Sequence, residues 1–278
     1  MNKSKNIKYK SKKIDIIIYK IKIKYYYYIN QDNLIRRYNM KIAVISDIHS
    51  NIYALNEVLA DIKNKNVDMI VCTGDLVGYG TRPNEVIETL RNEKILTIMG
   101  NYDDAIGNLK IVCGCDYPDP KDAEKAGLSM HFTSQETTDE NKKYLRNLPK
   151  EAIFTFNNKT IRFVHGSTRV INEYLKENSK EAEEVMNELV EDILVCGHTH
   201  IPYAKYYGEK LLVNAGSVGK PKTNKPDANY VIIEICDTNV EVEIIEVCYD
   251  FEKMAKEIEE NEILPNDFAR LIRQGSAK

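Results

Sequence analysis

Four of the chain's five histidines stand just past short apolar runs, and acids or amides hold the matching place after other runs of the same kind. Asp47, Ile48 and His49 follow KIAVIS, Gly74 and Asp75 follow MIVCT, and Gly100, Asn101, Tyr102 and Asp103 follow ILTIM. His165 and Gly166 follow TIRFV, and Gly197, His198, Thr199 and His200 follow ILVC. Read as an extended segment, His198-Thr199-His200 aims both imidazoles at one spot, because side chains at i and i+2 point the same way. Imidazoles and carboxylates without cysteine suit Zn, Mn, Fe, Co or Ni. Asp47, His49, Asp75, Asn101, His165, His198 and His200 make more candidate donors than one ion needs. They fit two ions sharing a carboxylate, the arrangement that clamps a phosphoryl group when the ions sit about 3.5–4 Å apart. Singly, each residue has a plain structural reading: Asp47 as a helix N-cap, Asp75 as a turn residue, His165 as a core histidine. Five such coincidences in order count against the plain reading taken jointly.

The elements that would carry these residues alternate. Lys41–Ser46, Met69–Thr73 and Ile95–Met99 read as strands, separated by amphipathic helices with Leu55, Val58, Leu59 and Ile62 inward, then Val86, Ile87 and Leu90 behind Pro83. This β-α-β-α-β order implies a parallel or mixed sheet covered by helices, an α/β fold, whose ligands bind at the carboxyl ends of the strands. Residues 104–150 are less regular, with two short helices expected, and read as an insertion over one end of the sheet. Thr160–Val164, Ile193–Cys196 and Lys210–Val213 read as further strands. Ser179 caps a helix with Ala182, Val185, Met186, Leu189 and Val190 at core spacing, and Tyr230–Ile235 with Val240–Val247 reads as a hairpin. Two helical segments broken at Pro265 close the chain.

The series DIH, GDLVGYG, GNYD, VHGS and GHTH resembles the calcineurin-like metallophosphoesterase superfamily over about residues 40–250, nearest in pattern to its small prokaryotic phosphodiesterase-type members. The resemblance implies two facing mixed β-sheets flanked by helices. It implies one divalent ion on Asp47, His49 and His200, a second on Asn101, His165 and His198, Asp75 between them, and an activated hydroxide as nucleophile. In one respect the chain departs from the family. The third motif usually has His after Asn, serving the leaving oxygen or the phosphate, and here that residue is Tyr102. A phenol with a pKa near 10 holds its proton at neutral pH and is a weaker acid than imidazolium. The expectation is therefore a phosphodiesterase acting on diesters with good leaving groups, with Asp75, Asn101 and Tyr102 in catalytic roles, and Tyr102→His is expected to raise turnover on poor leaving groups. A phosphomonoesterase or protein phosphatase, a dinucleoside polyphosphate hydrolase, and a catalytically weak metal-binding scaffold are the rival readings. Arg82, Arg169 and Lys220 are candidate phosphate contacts, and the loop Asn214–Gly219 sits beside the site with its amides turned to substrate or used only for conformation.

Composition sets the boundaries. The chain has 278 residues with 43% hydrophobic, enough for a large core. Residues 1–40 hold eleven Lys/Arg against two acids; with −3 for the whole chain, that net of +9 leaves −12 for residues 41–278. An acidic body argues against a large nucleic-acid-binding face, and the partner expected is a small phosphoester. Residues 1–39, with seven of the eighteen tyrosines, read as a basic Lys/Ile/Tyr-rich extension without order, or not native, ahead of a domain at 40–250 and a C-terminal helical segment at 251–278 packed on it. Lys20, Lys22 and Lys24 interrupt the Ile run and no Ala-x-Ala site follows, so a secretory signal is not expected; a membrane-surface role is the lesser reading of this basic, aromatic stretch, and no other stretch approaches transmembrane length. Deleting residues 2–39 is expected to leave activity and melting temperature unchanged. The six scattered cysteines suit a reduced, cytoplasmic protein, with Cys72 and Cys196 as small core residues and Cys113-Gly114-Cys115 a weak redox or metal signal.

Overall fold

The computed structural model describes residues 15–18, 21–24, 39–116, 119–156, 158–236 and 238–276. Met1–Tyr38 forms a unit of its own, of which the described part is an antiparallel pair, β1 (Asp15–Ile18) and β2 (Ile21–Lys24). Apart from that pair, the expectation for residues 1–39 lies outside the described residues.

The second unit, Asn39–Lys278, is built on two five-stranded mixed sheets. The first has the order β12-β11-β3-β4-β5, from β3 (Met40–Ile45), β4 (Met69–Cys72), β5 (Leu96–Thr97), β11 (Ala228–Ile235) and β12 (Val240–Val247). β3, β4 and β5 run parallel, and β11 is antiparallel to both β3 and β12. The second has the order β6-β7-β8-β10-β9, from β6 (Ala152–Phe156), β7 (Lys159–Phe163), β8 (Ile193–Cys196), β9 (Tyr203–Tyr207) and β10 (Lys210–Asn214). Its central trio β7-β8-β10 is parallel and its edges are antiparallel.

Alternation along the strands shows how the layers stack. On β3, Ala43 and Ile45 join a core cluster with Leu55, Val58 and Ile62 of α1 (Ile52–Lys63) and Val86, Ile87 and Leu90 of α2 (Pro83–Asn92). On β8, Leu194 and Cys196 join one with Ala182, Val185 and Met186 of α6 (Lys180–Glu188). The alternate residues Ile42, Val44, Ile193 and Val195 are just as buried yet belong to neither helical cluster. Successive strand residues point to opposite faces, so these inner faces cover one another, giving two facing mixed sheets flanked by helices.

Local chemistry accounts for most boundaries. Asn51 caps α1 by accepting from Ala54 N, Pro83 opens α2, and Ser179 caps α6 by accepting from Ala182 N. The structure departs from expectation where tertiary packing overrides pattern. β5 is only Leu96–Thr97, because Met99 N turns away to donate to Pro149 O. α6 stops at Glu188, so Val190 lies beyond it and is exposed instead of packed in the core. β6 and β9 are five-residue edge strands that the pattern did not announce, with Ile153 and Tyr206 exposed on them. The stretch after Asn101 is more helical than expected: α3 (Asn101–Gly107), α4 (Pro120–Glu136, seventeen residues) and α5 (Asp139–Arg146). Gly127 and a mostly polar surface hide the length of α4. The terminal helices α7 (Phe251–Glu259) and α8 (Asn266–Gln274) pack Met254, Ile258, Phe268 and Ile272 together with Phe132 of α4, and Phe268 meets the Tyr79 ring edge-on at 5.1 Å. Among the described residues no helix is long and apolar enough to cross a membrane.

Candidate metal centre

The loops after β3, β4 and β8, the first turn of α3 and the residue following Val164 bring all seven expected donors into one buried place. Asp47, His49 and His200 form one group whose ligating atoms lie within 4.8 Å of one another, and Asp75, His165 and His198 form a second. His200 Nε2 is 3.2 Å from Asp47 Oδ1 and 3.2 Å from His49 Nε2. Asp75 Oδ2 is 3.8 Å from His49 Nε2 and 3.4 Å from His165 Nε2, so this one oxygen faces both groups. Asn101 Oδ1 reaches His165 Nε2 at 2.9 Å. Two donors each about 2.1 Å from one cation, at 90–110° to each other, stand roughly 3.0–3.5 Å apart, and these separations fall in or near that range.

Backbone geometry sets the aim of these side chains. Asp47, His49, Asp75, His198 and His200 all have positive φ, between 48° and 64°. Left-handed backbone costs a non-glycine residue about 1–3 kcal/mol, and such strain gathers where a site demands it. This corrects the extended reading of His198-Thr199-His200: both residues are left-handed, and their imidazoles go to different groups. Two glycines make the close approach possible. A Cβ on Gly100 would sit 2.2 Å from Asp75 N, and one on Gly197 would sit 2.0 Å from Ser46 Oγ.

The outer contacts fix which atoms remain for a ligand. His49 Nδ1 lies 3.0 Å from Val77 O, His165 Nδ1 2.8 Å from Thr73 O, and His200 Nδ1 2.6 Å from Lys220 O. Each Nδ1–H is thereby committed to a carbonyl, which leaves Nε2 of His49 and His200 as a lone-pair donor to the centre, while His165 Nε2 faces the oxygens of Asp75 and Asn101. Asp47 Oδ2 accepts from Ser46 Oγ at 2.6 Å and from His198 N at 2.9 Å, and Asp75 Oδ1 accepts from Tyr102 N at 2.8 Å. Asp47 Oδ1 and His198 Nε2 are buried with no hydrogen-bond partner. A buried polar atom without a partner costs about 1–3 kcal/mol, and two of them pointing into a donor cluster fit a cation held there.

The electrostatics agree. Burial holds His49 well below the usual imidazole range, and burial with Lys222 pushes His200 down to about 4. Burial also holds His198 low. All three are neutral, the ligating form. For His165, burial is outweighed by the Asp75 carboxylate, which pushes it up to about 9.

Asp103 shows what spacing does not reveal. Its carboxylate accepts from Asp75 N at 2.8 Å, Leu76 N at 2.9 Å and Gly100 N at 2.9 Å, tying the β4 loop to the start of α3. The signal for it was the acid at the third helical position behind Gly100, where carboxylates bond back to the cap. Tyr102 lies buried beside the His49 ring. The ring is 1% exposed, packs against Gly78, and lies 5.4 Å from the His49 ring and 5.0 Å from Tyr79. Its main-chain N donates to Asp75 Oδ1 at 2.8 Å. The Asn214–Gly219 loop faces inward: Ser217 Oγ donates to Asp47 O at 2.7 Å, and Gly219 N to the same oxygen at 3.1 Å. Cys113 and Cys115 come next to Asn101, whose Nδ2 donates to Cys113 O at 3.1 Å and Cys115 Sγ at 3.2 Å. Arg82 is taken up by Glu257 and Glu85, and Arg169 by Glu173 and Glu184. His131 lies exposed on α4, away from the centre.

The family model of the calcineurin-like phosphoesterase superfamily domain matches residues 40–238. The chain belongs to that superfamily. An uncharacterized protein of Methanocaldococcus jannaschii, MJ0912, is 34% identical over 80% of this chain and 93% of its own length. The phosphodiesterase YfcE of Escherichia coli strain K12 is 26% identical over 70% of this chain and 88% of its own. A crystal structure of a metallophosphoesterase from Sphaerobacter thermophilus superposes with a TM-score of 0.68 at 27% identity, over 85% of this chain and 99% of that one. The superfamily is a hydrolase family that depends on metals, so the phosphoesterase class and the metal requirement follow for this chain.

Proposed function

We propose that the chain is a two-ion phosphodiesterase, with one divalent ion on Asp47, His49 and His200, a second on Asn101, His165 and His198, and Asp75 shared between them. The observation that carries this reading is Asp75 Oδ2, which faces His49 Nε2 at 3.8 Å and His165 Nε2 at 3.4 Å while Oδ1 is held by Tyr102 N. The ions supply neutralisation of the phosphoryl oxygens and acidity to water. The protein orients: carbonyls of Val77, Thr73 and Lys220 fix the imidazoles, Ser46 and the His198 amide fix Asp47, and Asp103 fixes the Asp75 loop. The imidazole, carboxylate and amide donors suit Mn, Fe, Zn, Ni or Co. Likeness to the YfcE phosphodiesterase supports diesters over monoesters. The substrate in this reading is a small phosphoester met in the cytoplasm, with neither nucleic acid nor membrane as partner.

The test is a matrix of Mn, Zn, Ni, Co and Fe against bis-p-nitrophenyl phosphate, p-nitrophenyl phosphate and a dinucleoside tetraphosphate. The expected result is metal-dependent hydrolysis with the diester turned over faster than the monoester. A monoester preference would overturn the diester assignment. No hydrolysis with two equivalents of metal bound would favour a scaffold.

A further inference from the structure

Of the features the sequence singles out beyond the donors, Lys220 Nζ lies over the Tyr79 ring, 4.5 Å from its centroid. The Cys113-Gly114-Cys115 stretch touches a donor of the centre directly. Asn101 Nδ2 donates to Cys115 Sγ at 3.2 Å and to Cys113 O at 3.1 Å. Asn101 Oδ1, on the same planar amide, reaches His165 Nε2 at 2.9 Å. Whatever holds Nδ2 therefore also aims Oδ1.

The two sulfurs lie 2.9 Å apart. Residues at i and i+2 of an extended segment stand about 6.6 Å apart, beyond the roughly 3.5–4.5 Å between Cβ atoms that a disulfide requires. Gly114 removes that obstacle: its φ of 78° turns the chain, and Asn172 Nδ2 donates to its carbonyl and holds the turn. Cys115 is half-buried and the neighbouring Ile111 and Val112 are exposed, so a small solute can reach the pair. Among the described residues the clusters of three donors are the two at the centre, and neither includes a cysteine. A sulfur pair outside those clusters suits thiol–disulfide chemistry better than a metal ion.

Resting on the reading of Asn101 as a ligand of the second ion, we propose that Cys113 and Cys115 form a redox modification site, a reversible disulfide whose closure weakens the hold on that ion. The co-reactant is a low-molecular-weight disulfide. The Cys115 sulfur, giving its proton to water, attacks one sulfur of the reagent and expels the other as a thiolate that takes up a proton. The Cys113 sulfur, deprotonated in turn, attacks Cys115 Sγ in the mixed disulfide and expels the second thiol. Two protein thiols thereby lose two electrons, and the reagent is reduced to two thiols. Closure draws the sulfurs from 2.9 Å to about 2.05 Å. Cys115 Sγ moves off Asn101 Nδ2, and the amide that aims Oδ1 is left less firmly held. A ring closed over one intervening residue is strained, and strained disulfides are the easily reduced, regulatory kind.

Peptide mass and metal titration on the full-length chain test this. Trypsin releases fragment 111–121, which holds Cys113 and Cys115 and no other cysteine. Protein is equilibrated in glutathione buffers of rising oxidised share, alkylated and digested. The fragment is expected to pass from doubly alkylated to an unalkylated form lacking two hydrogens, and to return with dithiothreitol. Oxidised protein is then desalted and titrated with Mn(II). The dissociation constant of the second equivalent is expected to rise about 10–100-fold while the first is unchanged, the size typical of a lost outer contact to a ligand. Cys113→Ser/Cys115→Ser is the control, expected to give the same affinities whether or not it has met the oxidant. A fragment that stays doubly alkylated, or that carries glutathione instead, would overturn the disulfide. A disulfide that leaves the second equivalent as tight as before would overturn its coupling to the centre, as would an equal weakening in the treated control. Reduced wild type that binds a single equivalent would overturn the two-ion reading and the coupling with it, and the fragment mass would still decide the disulfide.

Discussion

The two donor groups of the centre are built to different standards. In the first, Asp47, His49 and His200 are a carboxylate and two neutral imidazoles, and every one is braced by a separate hydrogen bond to Ser46, Val77 or Lys220. In the second, Asp75 is held by Tyr102 N but shared, Asn101 is an uncharged amide resting on Cys113 and Cys115, and His165, braced by Thr73 O, is pushed up to about 9 by the Asp75 carboxylate. His198 leans on the Tyr174 ring at 4.1 Å, with its Nε2 unpartnered. A proton must leave His165 before it ligates, and no hydrogen bond fixes the His198 ring among the described residues, so the first group is expected to hold its ion more tightly than the second. The difference teaches that likeness of residue types does not make the halves of a paired site equivalent.

The largest expected effect comes from the residue that belongs to both halves. Asp75→Ala is expected to lower activity by more than the 10–100-fold typical of outer-shell partners, and to lower the content of both metals. Loss of only one metal would show that the carboxylate is not shared. Asn101→Ala addresses the weaker half alone. The second metal's dissociation constant is expected to rise about 10–100-fold while the first is held, as read by metal titration. Equal weakening of both would erase the contrast between the groups. Tyr102→Phe keeps the amide that holds Asp75, so kcat/KM is expected to fall less than about threefold. A larger fall would assign the phenol a chemical role after all.

The smallest effect lies away from the centre. Glu257 is ordinarily near 4.5; burial pushes it up, but hydrogen bonds from Arg82, Thr81 and Tyr53 prevail and hold it at about 2. A depressed folded-state pKa stabilises the protein above about 4.5, and that contribution fades as pH falls toward 2. The melting-temperature gap between wild type and Glu257→Gln is therefore expected to narrow between pH 5 and 3. A gap independent of pH would mean the carboxylate charge contributes nothing.

Much of this was legible in the sequence because donor type and strand end coincide. Asp47, Asp75, His165 and His200 each follow an apolar run, and open α/β folds gather such positions. The backbone conformation that aims them was not legible: no pattern in Gly-His-Thr-His announces two left-handed residues. Asp103 and Tyr102 are neighbours with opposite lessons. The sequence assigns the acid no role among the donors, yet it braces Asp75, while the phenol reads as chemical and its ring is packed in the core. The length of α4 was hidden because a half-solvated helix dilutes periodicity with polar residues, and β6 and β9 were hidden because apolar residues on both faces of a five-residue strand leave no alternation to read.

Elemental analysis of metal-loaded, full-length protein tests the paired centre most directly. Wild type is expected to hold two equivalents and His200→Ala one, with the second group keeping its ion. A single equivalent in wild type, or no change in His200→Ala, would contradict it.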